Sequence, residues 1–88
     1  RDFAFVVDKN IKASQIISII KNCEPILIQS IDIFDVYEGD NIEKNKKSIA
    51  LSVKLQSMDK TLDEKTIEAI SQQIILSVQA KTGGTLRS

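Results

Sequence analysis

The fold of this chain is decided by the sequence Ile-Asp-Ile-Phe-Asp-Val-Tyr at positions 31–37. Its β-branched and aromatic residues, flanked by polar and Gly-containing sequence, predict a strand. Ile31 and Ile33 are apolar at a period of two, but the next apolar pair, Phe34 and Val36, has the opposite parity. A regular strand would send the two pairs to opposite faces of a sheet. One extra residue near Ile33 and Phe34, a β-bulge, would bring all four to one face.

The bulge also determines what this strand presents on its other face. The side chains left there are Ser30, Asp32, Asp35 and Tyr37. Asp35 and Tyr37 are two positions apart, so a carboxylate and an aromatic ring share one exposed surface. Such a pair can hydrogen-bond to a planar ligand and stack against it.

Length and composition indicate one small domain with an aliphatic core. The chain has 88 residues, of which 42% are hydrophobic and only 5% are aromatic. A chain of this length buries roughly 60–65% of its unfolded surface, enough for one core. We therefore expect a single domain over residues 1–88. Because the sequence starts at Arg1, without Met or a signal-peptide pattern, we expect a fragment of a longer protein.

Charge and residue usage exclude several functions. The 12 basic and 12 acidic residues cancel, which argues against a free-standing nucleic-acid binder but allows a module that reads bases while another domain grips the phosphates. The absence of His rules out Ser-His-Asp triads, Cys-His pairs and His-based metal sites within this chain. Cys23, the only cysteine, fits a reducing compartment. No apolar run approaches the ~20 residues of a membrane span.

Hydrophobic periodicity over the whole chain predicts the order β-α-β-β-α-β. The predicted strands are residues 1–8, 26–37, 48–57 and 85–87, and the predicted helices are residues 13–23 and 63–81. This order predicts an α+β ferredoxin-like βαββαβ sandwich, with a four-stranded antiparallel sheet and two helices on one face.

Helix boundaries are predicted from capping signals. The first helix should end at Glu24-Pro25, because the residue before proline disfavours the α region. Thr61 and Glu64 have the spacing of a capping box at the start of the second helix. Gly83 should end that helix in the left-handed conformation.

In this fold the first and third strands are central, and one face of the sheet stays open. The core face would carry Phe3, Phe5, Phe34, Val36, Ile49, Leu51 and Val53, and the open face Ala4, Val6, Asp35, Tyr37, Ser48, Ala50 and Ser52. Small side chains on the central strands let a flat ligand approach the backbone. Bases of a single-stranded RNA loop are recognised in this way, by stacking and by hydrogen bonds to their edges. A carboxylate suits guanine, whose N1–H and N2 amino groups are both donors.

Other interpretations of the same residues remain open. A solvated sheet face commonly carries Ser, Asp and an occasional Tyr, and Lys44, Lys46 and Lys47 suit a solvated loop as well as phosphate contacts. Asp32 and Asp35 lack a third ligand, so we predict no metal site and no catalytic residue. Two other functions stay possible: a ferredoxin-like regulatory domain that binds a small molecule, and a protein-docking domain that uses the open sheet.

Four segments together carry a resemblance to a known family. They are Arg-Asp-Phe-Ala-Phe-Val-Val-Asp at positions 1–8, Phe-Asp-Val-Tyr-Glu-Gly at 34–39, Lys-Lys-Ser-Ile-Ala at 46–50 and Gly-Thr-Leu-Arg at 84–87. In order and spacing they resemble the ferredoxin-fold anticodon-binding domain that closes the β subunit of bacterial phenylalanyl-tRNA synthetase. The resemblance covers essentially the whole chain and implies a C-terminal fragment of such a subunit.

The resemblance implies specific roles on the open face. Tyr37 would stack on the first anticodon base of tRNA(Phe), a guanine, and Asp35 would read the edge of that base, with Ala4 close against it. Ser48 would contact another anticodon base. The basic residues at family positions, which would touch the RNA backbone, are Arg1, Lys47 and Arg87.

The resemblance also implies what the parent enzyme supplies. ATP and Mg²⁺ would belong to the aminoacylation site in other domains, and the α subunit and the remaining β-subunit domains would be partners, in the cytoplasm and without a membrane. Family members often have Pro and Gly where this chain has Glu43 and Asn45. Because Asn tolerates a positive φ, we expect the turn to be preserved.

Overall fold

The structure is a computed structural model that describes residues 1–56 and 61–87. Over these ranges the elements are β1 (Asp2–Asp8), α1 (Ala13–Cys23), β2 (Ile28–Tyr37), β3 (Lys46–Leu55), α2 (Glu64–Thr82) and β4 (Thr85–Leu86). The strands form one antiparallel sheet in the order β2-β3-β1-β4. The strands β1 and β3 are therefore central, and the predicted ferredoxin-like α+β fold is confirmed.

The predicted bulge in β2 is present. Ile33 pairs with Leu51, and the next paired residue, Asp35, faces Ala50. Phe34 is therefore the extra residue, which shifts the parity of everything that follows it. A second shift between Ile28 and Ser30 makes the start of β2 irregular.

The core lies between one face of the sheet and the two helices. Its buried side chains are Phe3, Phe5, Val7, Ile28, Ile49, Leu51 and Val53 from the sheet and Ile16, Ile20, Ile70, Ile74 and Val78 from the helices. The rings of Phe3 and Phe5 stack with their centroids 5.9 Å apart. All other members are aliphatic, as the composition predicts. Among the described helices, none is long and apolar enough to span a membrane.

The prediction that Phe34 and Val36 are buried is wrong. Phe34 is 61% exposed and Val36 is 50% exposed. Val36 does face the helix side of the sheet, because it pairs with buried Ile49. However, β2 is an edge strand, and its contribution to the core ends at Ile33. The helices do not extend over the rest of the strand, so parity places Val36 on the core face without burying it.

The loop between β2 and β3 contains a turn that the sequence indicated. Asn45 has a φ of 70°, in the left-handed region that Asn tolerates. Its carbonyl accepts a hydrogen bond of 3.0 Å from the backbone N–H of Lys9, which ties this loop to the end of β1. The strand β3 then begins at Lys46, two residues before the predicted start. The predicted end of that strand, at position 57, lies outside the described residues.

The predicted capping box at Thr61 and Glu64 is also wrong. The N-cap of α2 is Asp63, whose Oδ1 accepts a hydrogen bond of 2.8 Å from the backbone N–H of Thr66. Both Asp and Thr can cap a helix, and in this sequence Thr61 and Asp63 are separated by a single residue. The helix ends as predicted, at Gly83 with a φ of 73°.

Replacing Asp63 with alanine should lower the free energy of unfolding by about 1 kcal/mol, the usual cost of a lost N-cap. Replacing Thr61 with alanine should change that free energy by only a few tenths of a kcal/mol, because Thr61 precedes the cap. Urea denaturation of both variants, followed by circular dichroism, measures the difference. A larger loss for Thr61→Ala would contradict the cap assignment.

Candidate nucleic-acid interface

The sheet face turned away from the helices carries cross-strand rows of side chains. One row runs from β2 to β4 through Tyr37, Ser48, Val6 and Thr85. The adjacent row contains Asp35, Ala50 and Ala4 and continues to Arg87, whose backbone N–H donates to the carbonyl oxygen of Ala4 at 2.7 Å. The predicted membership of the open face is therefore confirmed by the strand register.

Small side chains form the middle of this face. Ala4 and Ala50 pair directly across the two central strands, and both are half-buried. Neighbouring strands are about 4.8 Å apart, so these two methyl groups leave a low surface between the taller side chains of the edge strands. A planar group lying there would contact the sheet closely.

Tyr37 and Arg87 meet across this low surface. The Cζ atom of Arg87 lies 5.7 Å from the centroid of the Tyr37 ring, within the range of a cation–π contact. Arg87 follows β4 and Tyr37 ends β2, so the contact joins opposite edges of the sheet. It is therefore a long-range contact that links the two edges over the central strands.

Gly39 lies against the other end of the tyrosine. A Cβ atom built at Gly39 would stand 2.6 Å from Tyr37 Cζ and would also collide with the hydroxyl oxygen. Only a glycine leaves room for the ring in this position. The sequence analysis does not assign Gly39 to the site. The one indication in the sequence is that this glycine follows Tyr37 by two positions.

Ser48 lies on the expected face but is only 3% exposed. It stands in its row between two larger side chains, Tyr37 and Val6, which cover it. Little of Ser48 is therefore open to a ligand in this conformation.

The three basic candidates do not share one face of the sheet, although Arg1 and Arg87 line one surface pocket. Arg1 forms an ion pair with Glu68 of α2, with 3.1 Å between Nη2 and Oε2, and this places it on the helix side. Lys47 pairs with Val7, whose side chain is buried in the core, so its own side chain starts on the core face. Only Arg87 belongs to the open face.

The carboxylate of Asp35 is available to a ligand. Asp35 is exposed, and across residues 1–56 and 61–87 it has neither a hydrogen-bond nor an ion-pair partner. By contrast, Asp8 on the same face is paired with Lys46 at 3.5 Å. In the described part of the chain, no three His, Cys, Asp or Glu side chains are grouped so that they could hold a metal ion. The chemistry that Asp35 and Tyr37 offer on this face is hydrogen-bond acceptance and stacking.

Comparisons with known proteins cover nearly the whole chain. A family model described as the ferredoxin-fold anticodon-binding domain matches residues 1–87. The phenylalanine–tRNA ligase beta subunit of Bradyrhizobium diazoefficiens is 46% identical over 88 residues, and that of Rhodospirillum rubrum is 47% identical over 88 residues. Each alignment covers 100% of this chain but 11% of the relative, so the chain spans about a tenth of the length of these proteins.

Proposed function

This chain belongs to the family of ferredoxin-fold anticodon-binding domains, and from that premise we propose that it recognises the anticodon loop of tRNA(Phe) for a phenylalanine–tRNA ligase. Residues 1–88 would be the C-terminal domain of its beta subunit. The observation that carries the proposal is that Asp35 and Tyr37 lie side by side on the open face of β2, next to the low surface of Ala4 and Ala50.

Tyr37 provides the stacking surface for the first anticodon base. Stacking of a base on an aromatic side chain contributes roughly 1–3 kcal/mol and tolerates any base, because every base has a π face. Ala4 would lie close against the edge of that base. Tyr37 therefore supplies affinity more than it supplies specificity.

Asp35 provides the specificity. Its exposed carboxylate accepts hydrogen bonds from the N1–H and the N2 amino group of guanine, and hydrogen bonds to a charged acceptor are about twice as strong as neutral ones. Cytosine presents the acceptors N3 and O2 together with a single amino group. The carboxylate would then face lone pairs, so a loop that begins its anticodon with cytosine binds more weakly.

The chemistry of aminoacylation belongs in this proposal to the rest of the enzyme. ATP and Mg²⁺ bind in other domains, and the α subunit and the remaining β-subunit domains are the protein partners, all in the cytoplasm. The acceptor end of a tRNA lies far from its anticodon, so this domain selects and orients the tRNA. With a net charge of zero, the isolated chain should bind RNA weakly, with a Kd no better than about 10⁻⁴ M.

An NMR titration with two anticodon stem-loops tests the proposal. One loop carries the phenylalanine anticodon, and the other has its first base changed from guanine to cytosine. We expect shifts at Ala4, Asp35 and Tyr37, with binding about tenfold weaker for the second loop, in the range of one lost bidentate base contact. Equal binding of both loops would show a surface that does not read this base. Absence of shifts at millimolar RNA would contradict the proposal.

A further inference from the structure

We propose that Arg87 is a positioning residue, whose guanidinium group holds the Tyr37 ring as a platform for a stacked base instead of gripping the RNA backbone. The inference rests on the proposed function, because the ligand of the platform is the anticodon base. It concerns how that site is assembled from two edges of the sheet.

The backbone of Arg87 is fixed before its side chain crosses the sheet. Thr85 and Leu86 pair with Val6 and Phe5 of β1, and the N–H of Arg87 adds a hydrogen bond of 2.7 Å to the carbonyl oxygen of Ala4. The left-handed turn at Gly83 directs the chain from α2 into this short strand. The side chain of Arg87 therefore starts from a defined point at the sheet edge.

The central strands allow the side chain to lie across them. Ala4 and Ala50 are the residues of the same row between Arg87 and β2, and neither has a side chain beyond Cβ. Larger residues at these positions would lift the arginine away from the sheet. The guanidinium group thus reaches Tyr37, with Cζ 5.7 Å from the ring centroid.

Two contacts then define the position of the ring. Gly39 accommodates its hydroxyl end, and Arg87 lies over its π system. Tyr37 as a whole is still 37% exposed, which leaves surface for one further planar group. A side chain that is already ordered loses less conformational freedom on binding. A ring that is held in place before RNA arrives therefore favours stacking. The cation–π contact also strengthens when a base covers it and excludes water.

Tyr37 itself reports on this arrangement. It is the only tyrosine in a chain without tryptophan, so tyrosine ring signals in NMR and intrinsic fluorescence come from it alone. In the free chain, Arg87→Gln should shift the ring signals. The matched control Arg1→Gln removes the same charge on the helix side and should leave them unchanged. Unchanged ring signals in Arg87→Gln would overturn the proposal.

Binding of the phenylalanine anticodon stem-loop separates positioning from phosphate contact. We expect Arg87→Gln to weaken binding about tenfold while the dependence of the binding constant on salt stays the same. Arg87→Lys keeps the charge but lacks the planar guanidinium group, so it should recover only part of the affinity. If Arg87 contacted a phosphate, its loss would lower the salt slope by about 0.7 and lysine would restore binding. Either result would overturn the proposal.

A double variant measures whether Arg87 acts through Tyr37. Once Tyr37→Leu has removed the ring, adding Arg87→Gln should cost little further affinity, because the two residues act as one unit. An undiminished tenfold loss in that background would overturn the proposal. If the native chain bound neither stem-loop, the proposed function would fail and the platform would have no ligand. The ring signals of the free chain would still show separately whether Arg87 holds Tyr37.

Discussion

Replacing Phe5 with alanine is expected to lower the free energy of unfolding by about 3–5 kcal/mol, the usual cost of removing a buried phenyl ring. Phe5 is 0% exposed on the central strand β1, and its ring stacks on that of Phe3. A domain of this size has a total stability of roughly 4–13 kcal/mol. The variant should therefore lose a large part of its stability, which urea or thermal denaturation measures.

The matched control for this prediction is Phe34→Ala. It removes the same ring from the bulge in β2, where the side chain is 61% exposed. We expect a loss below about 1 kcal/mol, as for most surface substitutions. If the two variants lost equal stability, Phe34 would be part of the core after all, as its sequence environment first suggested.

Replacing Asp35 with alanine is expected to weaken binding of the phenylalanine anticodon stem-loop by about 10- to 100-fold. Hydrogen bonds to a charged group contribute roughly 1.5–3 kcal/mol, and the carboxylate would accept two of them from guanine. The variant should also bind the guanine and cytosine loops with similar affinity. Titrating both stem-loops at one salt concentration, with the native chain in parallel, measures both effects.

Asp32→Ala is the control for Asp35→Ala. Asp32 is also exposed on the open face of β2, where it pairs with Ser52. General electrostatics predicts that losing a negative charge strengthens RNA binding, and Asp32→Ala should do so slightly. Asp35→Ala is expected to weaken RNA binding instead. Because loss of a negative charge would by itself strengthen binding, a loss of affinity in this variant must come from a specific contact. Similar behaviour of the two variants would refute base reading by Asp35.

Local periodicity was sufficient to predict most of the fold. The alternation in β1 and β3 and the helical spacing in α1 and α2 depend only on residues close together in the chain. The helix α1 occupies the predicted residues 13–23, and Phe34 is the predicted bulge. The capping error at α2 had a similarly local cause, because Thr61 and Asp63 are both good N-caps and sequence alone does not rank them.

The alternation of side chains along each strand also placed Ala4, Asp35, Tyr37 and Ser48 on one face of the sheet. It does not predict how exposed each of these side chains is. Asp35 and Tyr37 are exposed on the open face as predicted, whereas Ser48 is covered there and Val36 is uncovered on the opposite face. The face of a residue follows from the pleat of its own strand. Its exposure depends on the side chains of neighbouring strands and on where the helices end, and these are properties of the packed molecule.

The sequence by itself therefore determined the order of elements, the bulge in β2 and the residues of the open face. Only the tertiary structure decided that Arg87 reaches Tyr37 and that Arg1 pairs with Glu68 of α2. The physical reason is that a contact between opposite sheet edges depends on strand order and register together. Those are set by burial of the shared core, to which distant parts of the chain contribute at once.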